Sequence, residues 1–488
     1  MNHNKIDLIA FFPSTGLDKK NHTIGMPLSL LHATSLANEA GFKIKLIDQR
    51  VDKNWKNTLR SVIHENSDLI LLLSTMTGAQ IKYGLEVIRF VKSFGKNVKI
   101  MLGGMHPTLF PDQTLKHKLI DFIVIGDGEE TLLEFLQRKD SDLENIRGLG
   151  YKEKGKIIIN TQRKPFDLGK TPKIPYNLIN VQNYYENFFQ TKNGLPVMAG
   201  RGCPYSCTFC YENALPVKSY RNLPLDKLIL NIKEVLEFKP GGINLINDLF
   251  FYDEKSAKIV ADRIIRERIK TKFMVNTRVD FIYKSNIDTL KKIKDAGFHE
   301  MFIGVESGSQ RVLDMIKKGI TIEQIIEANK KLREAKIKPI YSFMTGFPSE
   351  TFGDTKKTIS LMLKLLKDNP NASLTSLKIF TPYPKTPMFE ECKKYGFQVP
   401  NELEDWAEFD FNTAKNTWLS KRERQRLEKI SYMTYFLDSR TIQSYFSSKL
   451  FKMLIHMYGN IVLFRCRHHF YALIPEIKLF KIIHKKFY

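Results

Sequence analysis

The sequence is poor in cysteine, with five in 488 residues at positions 203, 207, 210, 392 and 466, three of them inside eight residues. An odd and sparse set of this kind excludes a disulfide framework. The chain also lacks any run approaching the about 18 uncharged apolar residues that span a bilayer. Its opening MNHNKIDLIAFFP has no long apolar segment of the signal-peptide type. A cytoplasmic location is therefore expected. Acids are scarce beside bases, 52 against 76, and the net charge of +24 favours anionic partners: nucleic acid, a membrane surface, or an anionic substrate or cofactor. A third of that excess is concentrated in residues 440–488, which hold nine Lys or Arg and one acid. Hydrophobic residues at 43% and charged residues at 26% exclude wholesale disorder. The length suits about three domains and excludes a single small binding module.

From 6 to 137, short β-rich apolar runs (IDLIAFFP, KIKLID, DLILLLST, VKIMLGG, DFIVIG) alternate with helix-compatible segments. The alternation predicts a parallel, doubly wound, Rossmann-like domain over residues 1–150. Between the first two runs, Leu28, Leu31, Leu36 and Ala40 mark a helix that Gly41 would cap. Residues 151–195 read as a hairpin and a linker. A second alternating series spans 196–400, with strands near 196–200, 242–247, 272–278, 299–305, 338–345 and 373–380. Its helices are amphipathic, as in the stripe Leu225, Leu228, Ile229, Ile232, Val235 and Leu236. Six parallel β/α units predict a partial barrel, whose chemistry gathers where strands end. Residues 401–488 read as a mostly helical C-terminal region, so the fold class is α/β throughout the first two parts.

The segment GRGCPYSCTFCYE closes the first strand of the second series and spaces Cys203, Cys207 and Cys210 as CxxxCxxC. Three thiolates can hold three irons of a four-iron, four-sulfur (4Fe-4S) cluster and leave the fourth open to a substrate. A zinc site is the competing reading, but no histidine lies in the loop and the spacing is not CxxC. The pattern resembles the radical S-adenosylmethionine (SAM) superfamily, and further segments follow in the order of that family. INDLFFYD, with Asn247 and Asp248, resembles the acidic motif near the methionine ammonium. NTRVD, with Arg278, and IGVESGS, with Glu306 and Ser307, resemble segments that hold the SAM carboxylate and ribose. FMTGFPSET, with Gly346, Phe347 and Pro348, resembles the stretch that packs on adenine, FTPYPKTPMF follows it, and Phe209 of the cysteine loop joins the implied SAM set.

The resemblance implies a mechanism. SAM binds the open iron through its amino and carboxylate groups, one electron from the cluster cleaves the S–C5′ bond, and a 5′-deoxyadenosyl radical results. The protein's part is to exclude water and to place a substrate C–H beside that radical.

In the first domain, LGGMHPTLFP (102–111) and DFIVIGDGEETL (121–132) resemble loops of cobalamin (B12)-binding radical SAM enzymes. Ligands of doubly wound sheets bind beyond the carboxyl ends of the strands, where Gly103, Gly104, Gly126 and Gly128 would let the backbone approach closely. The resemblance extends the corrinoid set to Ser74, Thr75, Met76, Thr77 and Gly78 of STMTGAQI, and to His106, Asp127 and Glu129. The DxHxxG motif that ligates cobalt in classical cobalamin modules is absent, since the first strand continues as FFPSTG. His22 and His106 are the candidate replacements, but cobalamin with no protein histidine on cobalt is the favoured reading.

Segment 446–488 interleaves aromatic and aliphatic residues with Lys, Arg and His. It reads as a core-packed helical cap, as an interfacial surface whose aromatics enter the headgroups while its cations meet anionic lipid, or, least favoured, as an RNA-binding stretch. Cys392 and Cys466 read as isolated, non-catalytic thiols.

These readings converge on a cobalamin-dependent radical SAM enzyme that methylates an unactivated carbon, one SAM charging cob(I)alamin to methylcobalamin and another supplying the radical. The alternative is a radical cyclase or rearrangement enzyme similar to the anaerobic tetrapyrrole-ring cyclases. An RNA methylthiotransferase is disfavoured because that family carries a cysteine triad in its first domain, whereas the first cysteine here is Cys203. Expected partners are a small-molecule or lipid-linked substrate, a reductant such as flavodoxin or ferredoxin, and an anionic membrane at its inner face. Nucleic acid is not expected.

Overall fold

A computed structural model describes residues 5–16, 18, 24–66, 68–95, 97–138, 141–188, 191–409, 416–438 and 448–471. The chain divides into two compact units. One comprises Met1–Tyr185, Ala214–Ser219 and Gln398–Ala414; the other comprises Glu186–Asn213, Tyr220–Phe397 and Lys415–Tyr488.

The first unit is built on a seven-stranded sheet. Strands β1 (Leu8–Phe12), β2 (Ile44–Asp48), β3 (Leu69–Ser74), β4 (Val98–Gly103) and β5 (Phe122–Val124) are parallel, and the hairpin β6 (Leu149–Glu153) and β7 (Lys156–Ile159) extends the edge antiparallel. The order β2-β1-β3-β4-β5-β6-β7 reverses between β1 and β3, which opens a crevice at their carboxyl ends. Runs such as LIAFF and LILLLS are nearly continuously apolar because both faces of a wound parallel sheet are covered. Helix α1 (Ala79–Lys92) follows β3 and buries Ile81, Leu85, Ile88 and Val91. The expected helix at Leu28 is two short ones, Leu28–Ala33 and Ser35–Glu39, because Thr34 turns its hydroxyl back onto the Leu30 carbonyl at 2.7 Å.

The second unit carries a curled half-barrel sheet. An edge strand β8 (Glu186–Phe188) lies antiparallel to β9 (Thr191–Met198), and a small hairpin, β10 (Gly200–Gly202) with β11 (Tyr220–Asn222), brackets the cysteine loop. Parallel strands β12 (Ile243–Ile246), β13 (Phe273–Thr277), β14 (Phe298–Glu306) and β15 (Lys338–Thr345) succeed β9 in sheet order. The expected sixth strand is two short pieces beside β15, β16 (Ser373–Leu374) and β17 (Lys378–Ile379). Between them the Leu377 amide donates to the Thr434 hydroxyl at 2.9 Å instead of to the ladder. Helix α2 (Phe352–Asp368) precedes β16, and α3 (Lys449–Arg467) lies toward the C-terminus.

Candidate functional site

The second unit gathers the cysteines and the later motifs at the carboxyl ends of its strands. Cys207 is buried, Cys203 and Cys210 are half-buried, and all three are free thiols. Backbone bonds fix the loop: the Cys210 amide donates to the Cys207 carbonyl at 3.1 Å, the Thr208 amide to the Ile316 carbonyl at 3.0 Å, and the Met388 amide to the Thr208 carbonyl at 2.9 Å. Burial pushes the Cys210 thiol up to about 12, and charge on Cys207 and Cys203 adds to the rise. Cys203 is raised for the same first reason. Thiols at Cys203 and Cys210 whose ionisation burial opposes fit a cationic iron cluster, whose irons deprotonate and neutralise coordinating thiols.

Positive charge is already present beside them. Arg278 lies behind the loop, its Nη1 donating to Cys207 Sγ at 3.6 Å, Nε to Asp280 at 2.9 Å and Nη2 to the Lys318 carbonyl at 2.5 Å. Its guanidinium sits 3.6 Å from the centroid of the Tyr205 ring, and the Tyr205 hydroxyl donates to Asp280. Asp248 is exposed and accepts from the Gly202 amide at 2.8 Å and from the Tyr211 hydroxyl. Asn247 is buried and donates to Asn222 at 2.7 Å. A Cβ at Gly200 would lie 2.4 Å from that Asn247 amide nitrogen, so the strand leading to the cysteines accepts only glycine there.

Glu306 holds a left-handed φ of 71° at a bulge between β14 and β15, a conformation costly outside glycine and concentrated at functional sites. Its carboxylate pairs with the Lys318 ammonium at 2.8 Å, both side chains under a tenth exposed. Gly304 leaves the space, since a Cβ there would lie 2.2 Å from Glu306 Oε1. Ser307 is buried against the Thr358 hydroxyl at 3.2 Å and accepts from the Ser309 amide at 3.1 Å. Gly346 takes a φ of 81°, and its carbonyl accepts from Trp418 Nε1 at 2.8 Å. Phe347 is fully buried, stacks on Phe380 at 4.7 Å and meets Phe209 edge-on at 6.0 Å; Pro348 is buried beside it.

The first unit places its twelve expected corrinoid residues at the carboxyl ends of β3 and β4, on the segments after β3, β4 and β5, and at the starts of the helices that follow β4 and β5. The Thr75 amide donates to the Gly103 carbonyl at 2.9 Å, the His106 amide to the Thr75 carbonyl at 3.2 Å, and the Gly126 amide to the Thr108 hydroxyl at 3.0 Å. Gly104 has φ 96°, and a Cβ there would lie 2.8 Å from the Thr75 carbonyl oxygen, so this close approach requires glycine. Gly126 has φ 79° with open space beside it. Met76 and Gly126 are exposed; Ser74, Thr77, Gly104, Asp127 and Gly128 are half-buried; Thr75, Gly78, Gly103, His106 and Glu129 are buried. Asp127 accepts from the Phe166 amide at 2.9 Å. These hydroxyls, glycines and open backbone fit a large uncharged ring with an amide periphery. His22 lies outside the described residues.

His106 is enclosed rather than presented. Its Nδ1 meets the Thr77 hydroxyl at 3.0 Å, its Nε2 is buried without a hydrogen-bond partner, and burial pushes the imidazole down to about 3. Phe110 and Trp406 pack on it at 5.4 and 5.7 Å. Trp406 arrives from far along the chain, on a 3-10 turn Glu404–Glu408, and donates through Nε1 to Gln113 at 2.7 Å. Gln113 in turn donates to the Pro400 and Asn401 carbonyls at 3.1 and 2.5 Å. Trp406 and Lys318 escaped sequence reasoning. The IKKG after IGVESGS was a usable signal for Lys318, whereas nothing local marks Trp406.

Three thiols on a barrel loop in one unit, and a doubly wound sheet with a crevice at its strand ends in the other, define a radical SAM enzyme with a corrinoid-binding unit. Residues 197–362 match the Radical SAM superfamily and residues 20–136 match the B12 binding domain. The chain is 30% identical to the uncharacterized methyltransferase PH0819 of Pyrococcus horikoshii over 431 residues, 86% of this chain and 90% of that one. It therefore belongs to the cobalamin-binding radical SAM family. Its cofactors are a 4Fe-4S cluster, SAM and cobalamin. It is also 28% identical to the anaerobic magnesium-protoporphyrin IX monomethyl ester cyclase of Cereibacter sphaeroides, over 67% of this chain and 53% of that enzyme. Among solved structures, the cobalamin-dependent radical SAM enzyme OxsB, with aqua-cobalamin and SAM bound, shares the fold at a TM-score of 0.76 and 18% identity, covering 99% of this chain and 75% of that one. The described residues include no helix long and apolar enough to cross a membrane.

Proposed function

We propose that the enzyme transfers a methyl group to an unactivated carbon of a small-molecule or lipid-linked substrate, drawing electrons from a flavodoxin or ferredoxin. The observation that carries this reading is the match, over nine-tenths of its length, to a protein named as a methyltransferase. Bound, the three cofactors supply an electron, a carbon radical and a transferable methyl group. The chain's own residues do the rest. Cys203, Cys207 and Cys210 hold the cluster, and Arg278 keeps positive charge against the Cys207 sulfur. Asp248, the exposed carboxylate at that edge, receives the methionine ammonium. Glu306 and Ser307 face the ribose and carboxylate, with Lys318 fixing the Glu306 rotamer. Phe209, Gly346, Phe347 and Pro348 give adenine a dry wall. In the first unit, Ser74, Thr75, Met76, Thr77, Gly78, Gly103, Gly104, Gly126, Asp127, Gly128 and Glu129 line or brace the corrinoid crevice, with His106 beneath them. The reading includes a cytoplasmic enzyme in peripheral contact with the inner face of an anionic membrane, supported by the nine Lys or Arg against one acid in residues 440–488.

A second reading is a radical cyclase or rearrangement enzyme, favoured by the likeness to the magnesium-protoporphyrin cyclase. Anaerobic reconstitution and quantification of S-adenosylhomocysteine and 5′-deoxyadenosine, with and without cobalamin, separates the two. Cobalamin-dependent formation of both products supports methyl transfer. 5′-Deoxyadenosine alone, in the presence of cobalamin, overturns it in favour of cyclisation.

A further inference from the structure

Among the described residues, helix α3 is packed on one side only. Gly459, Val462 and Cys466 are buried, and Tyr458 meets Phe436 edge-on at 4.7 Å. The far side carries Leu450, Met453, Leu454, Met457, Ile461 and Phe464, each between 49 and 61% exposed. With about 100° of rotation per residue, these six fall within an arc of about 100°, opposite the buried set. A soluble helix normally turns such an arc to the core and leaves charge outside; this one has apolar stripes on both sides.

The borders of the exposed stripe are basic. Helical spacing sets Lys449, Lys452, His456 and Arg467 along one edge and Arg465 along the other, and Lys449–Arg467 contains no acidic residue. A protein groove would read the apolar stripe by shape and would not require one sign of charge on both borders. A plane of phosphate headgroups above an acyl layer requires both at once, because apolar side chains enter the acyl boundary while flanking cations stay at headgroup depth.

We propose that the outer face of α3 docks the enzyme on an anionic lipid membrane, the helix lying in the interface with Leu450, Met453, Leu454, Met457, Ile461 and Phe464 inserted. This deepens the membrane contact in the proposed function and does not depend on which reaction the barrel performs. The helix is 19 residues long and is not long and apolar enough to cross a bilayer, so the contact is peripheral and reversible.

The test is co-sedimentation of the reconstituted full-length protein with vesicles of phosphatidylglycerol and phosphatidylcholine, against vesicles of phosphatidylcholine alone. Binding to the anionic vesicles that weakens with salt is expected. The variant Leu454→Gln/Met457→Gln/Ile461→Gln should bind about tenfold or more weakly. Lys449→Gln/Lys452→Gln/Arg467→Gln should lose roughly fivefold per charge removed. Cluster and cobalamin absorbance verify that each variant is folded, and vesicle binding is read without turnover, so failure of the methyl-transfer assignment and failure of docking are distinguishable. No binding by the parent protein, or equal binding by the triple apolar variant, overturns the proposal. A dimer seen by light scattering that the apolar variant abolishes, without vesicle binding, assigns the face to a second copy and also overturns it.

Discussion

The two cofactor regions are built from opposite materials. The cysteine loop of the second unit is ringed by charge: Arg278 bonds Asp280 and the Cys207 sulfur, and Glu306 pairs with Lys318 out of water. The three loops of the first unit present glycines, hydroxyls and a neutral imidazole, held by backbone bonds and by Trp406. A site for a charged cluster and a zwitterionic ligand needs fixed counter-charges, which are strong only when buried and paired. A site for a broad ring needs close backbone approach and shape, which glycines and a rigid support provide. The two should therefore fail separately and by different means.

The strongest break is removal of the thiols. Cys203→Ala/Cys207→Ala/Cys210→Ala should abolish iron and sulfide content and the visible cluster absorbance, while cobalamin titration is unchanged; parallel loss of cobalamin binding would show one interdependent site. Next, Lys318→Met strands Glu306 and should cost about 3–5 kcal/mol in denaturant unfolding followed at the cluster. Adding Glu306→Gln should recover most of it, and a single-variant cost below about 1 kcal/mol would show that the pair holds nothing. Trp406→Ala should cost a similar about 3–5 kcal/mol on the other side of the comparison, weakening corrinoid binding in titration with cluster content intact.

A smaller effect is pH-dependent. His106 is held neutral by burial, so below about pH 6.5 the unfolded chain takes up a proton that the folded chain refuses. The stability this residue contributes is complete above that pH and is lost as pH falls toward 3, by about 2 kcal/mol at about pH 5. His106→Gln should flatten that slope in melting experiments between pH 7 and 5. Least of all, Gly126→Ala meets no neighbour but keeps a left-handed φ, so it should cost only about 1 kcal/mol in stability. Unchanged corrinoid affinity in that variant would remove Gly126 from the crevice.

Much of this was legible in order along the chain. Five apolar runs gave β1 to β5, and CxxxCxxC with its trailing segments located the cysteine loop, because those signals are local: a strand's burial or a loop's spacing is written in consecutive residues. What escaped is non-local. The two short helices at Leu28 follow from one hydroxyl at Thr34, and the divided sixth strand follows from Thr434 taking the Leu377 amide. His106 reads in sequence as a possible ligand in a glycine loop, and a tryptophan 300 positions later is part of what encloses it. For α3 the sequence showed only apolar residues interleaved with basic ones, and which of them face outward was not legible.

The return of Gln398–Ala414 to the first unit gives synthesis on the ribosome an unusual schedule. Domains generally begin folding as they emerge, N-terminal first. Here the first unit emerges without the Trp406 ring that packs on His106, and it stays unfinished while the barrel strands β9 to β17 are made. Only when residues near 406 follow does the early unit receive the buried Trp406 side chain. A nascent chain halted at residue 397 would thus hold a first unit softer than the mature one, and cleavage at its β3 and β4 loops by a protease should report that delay.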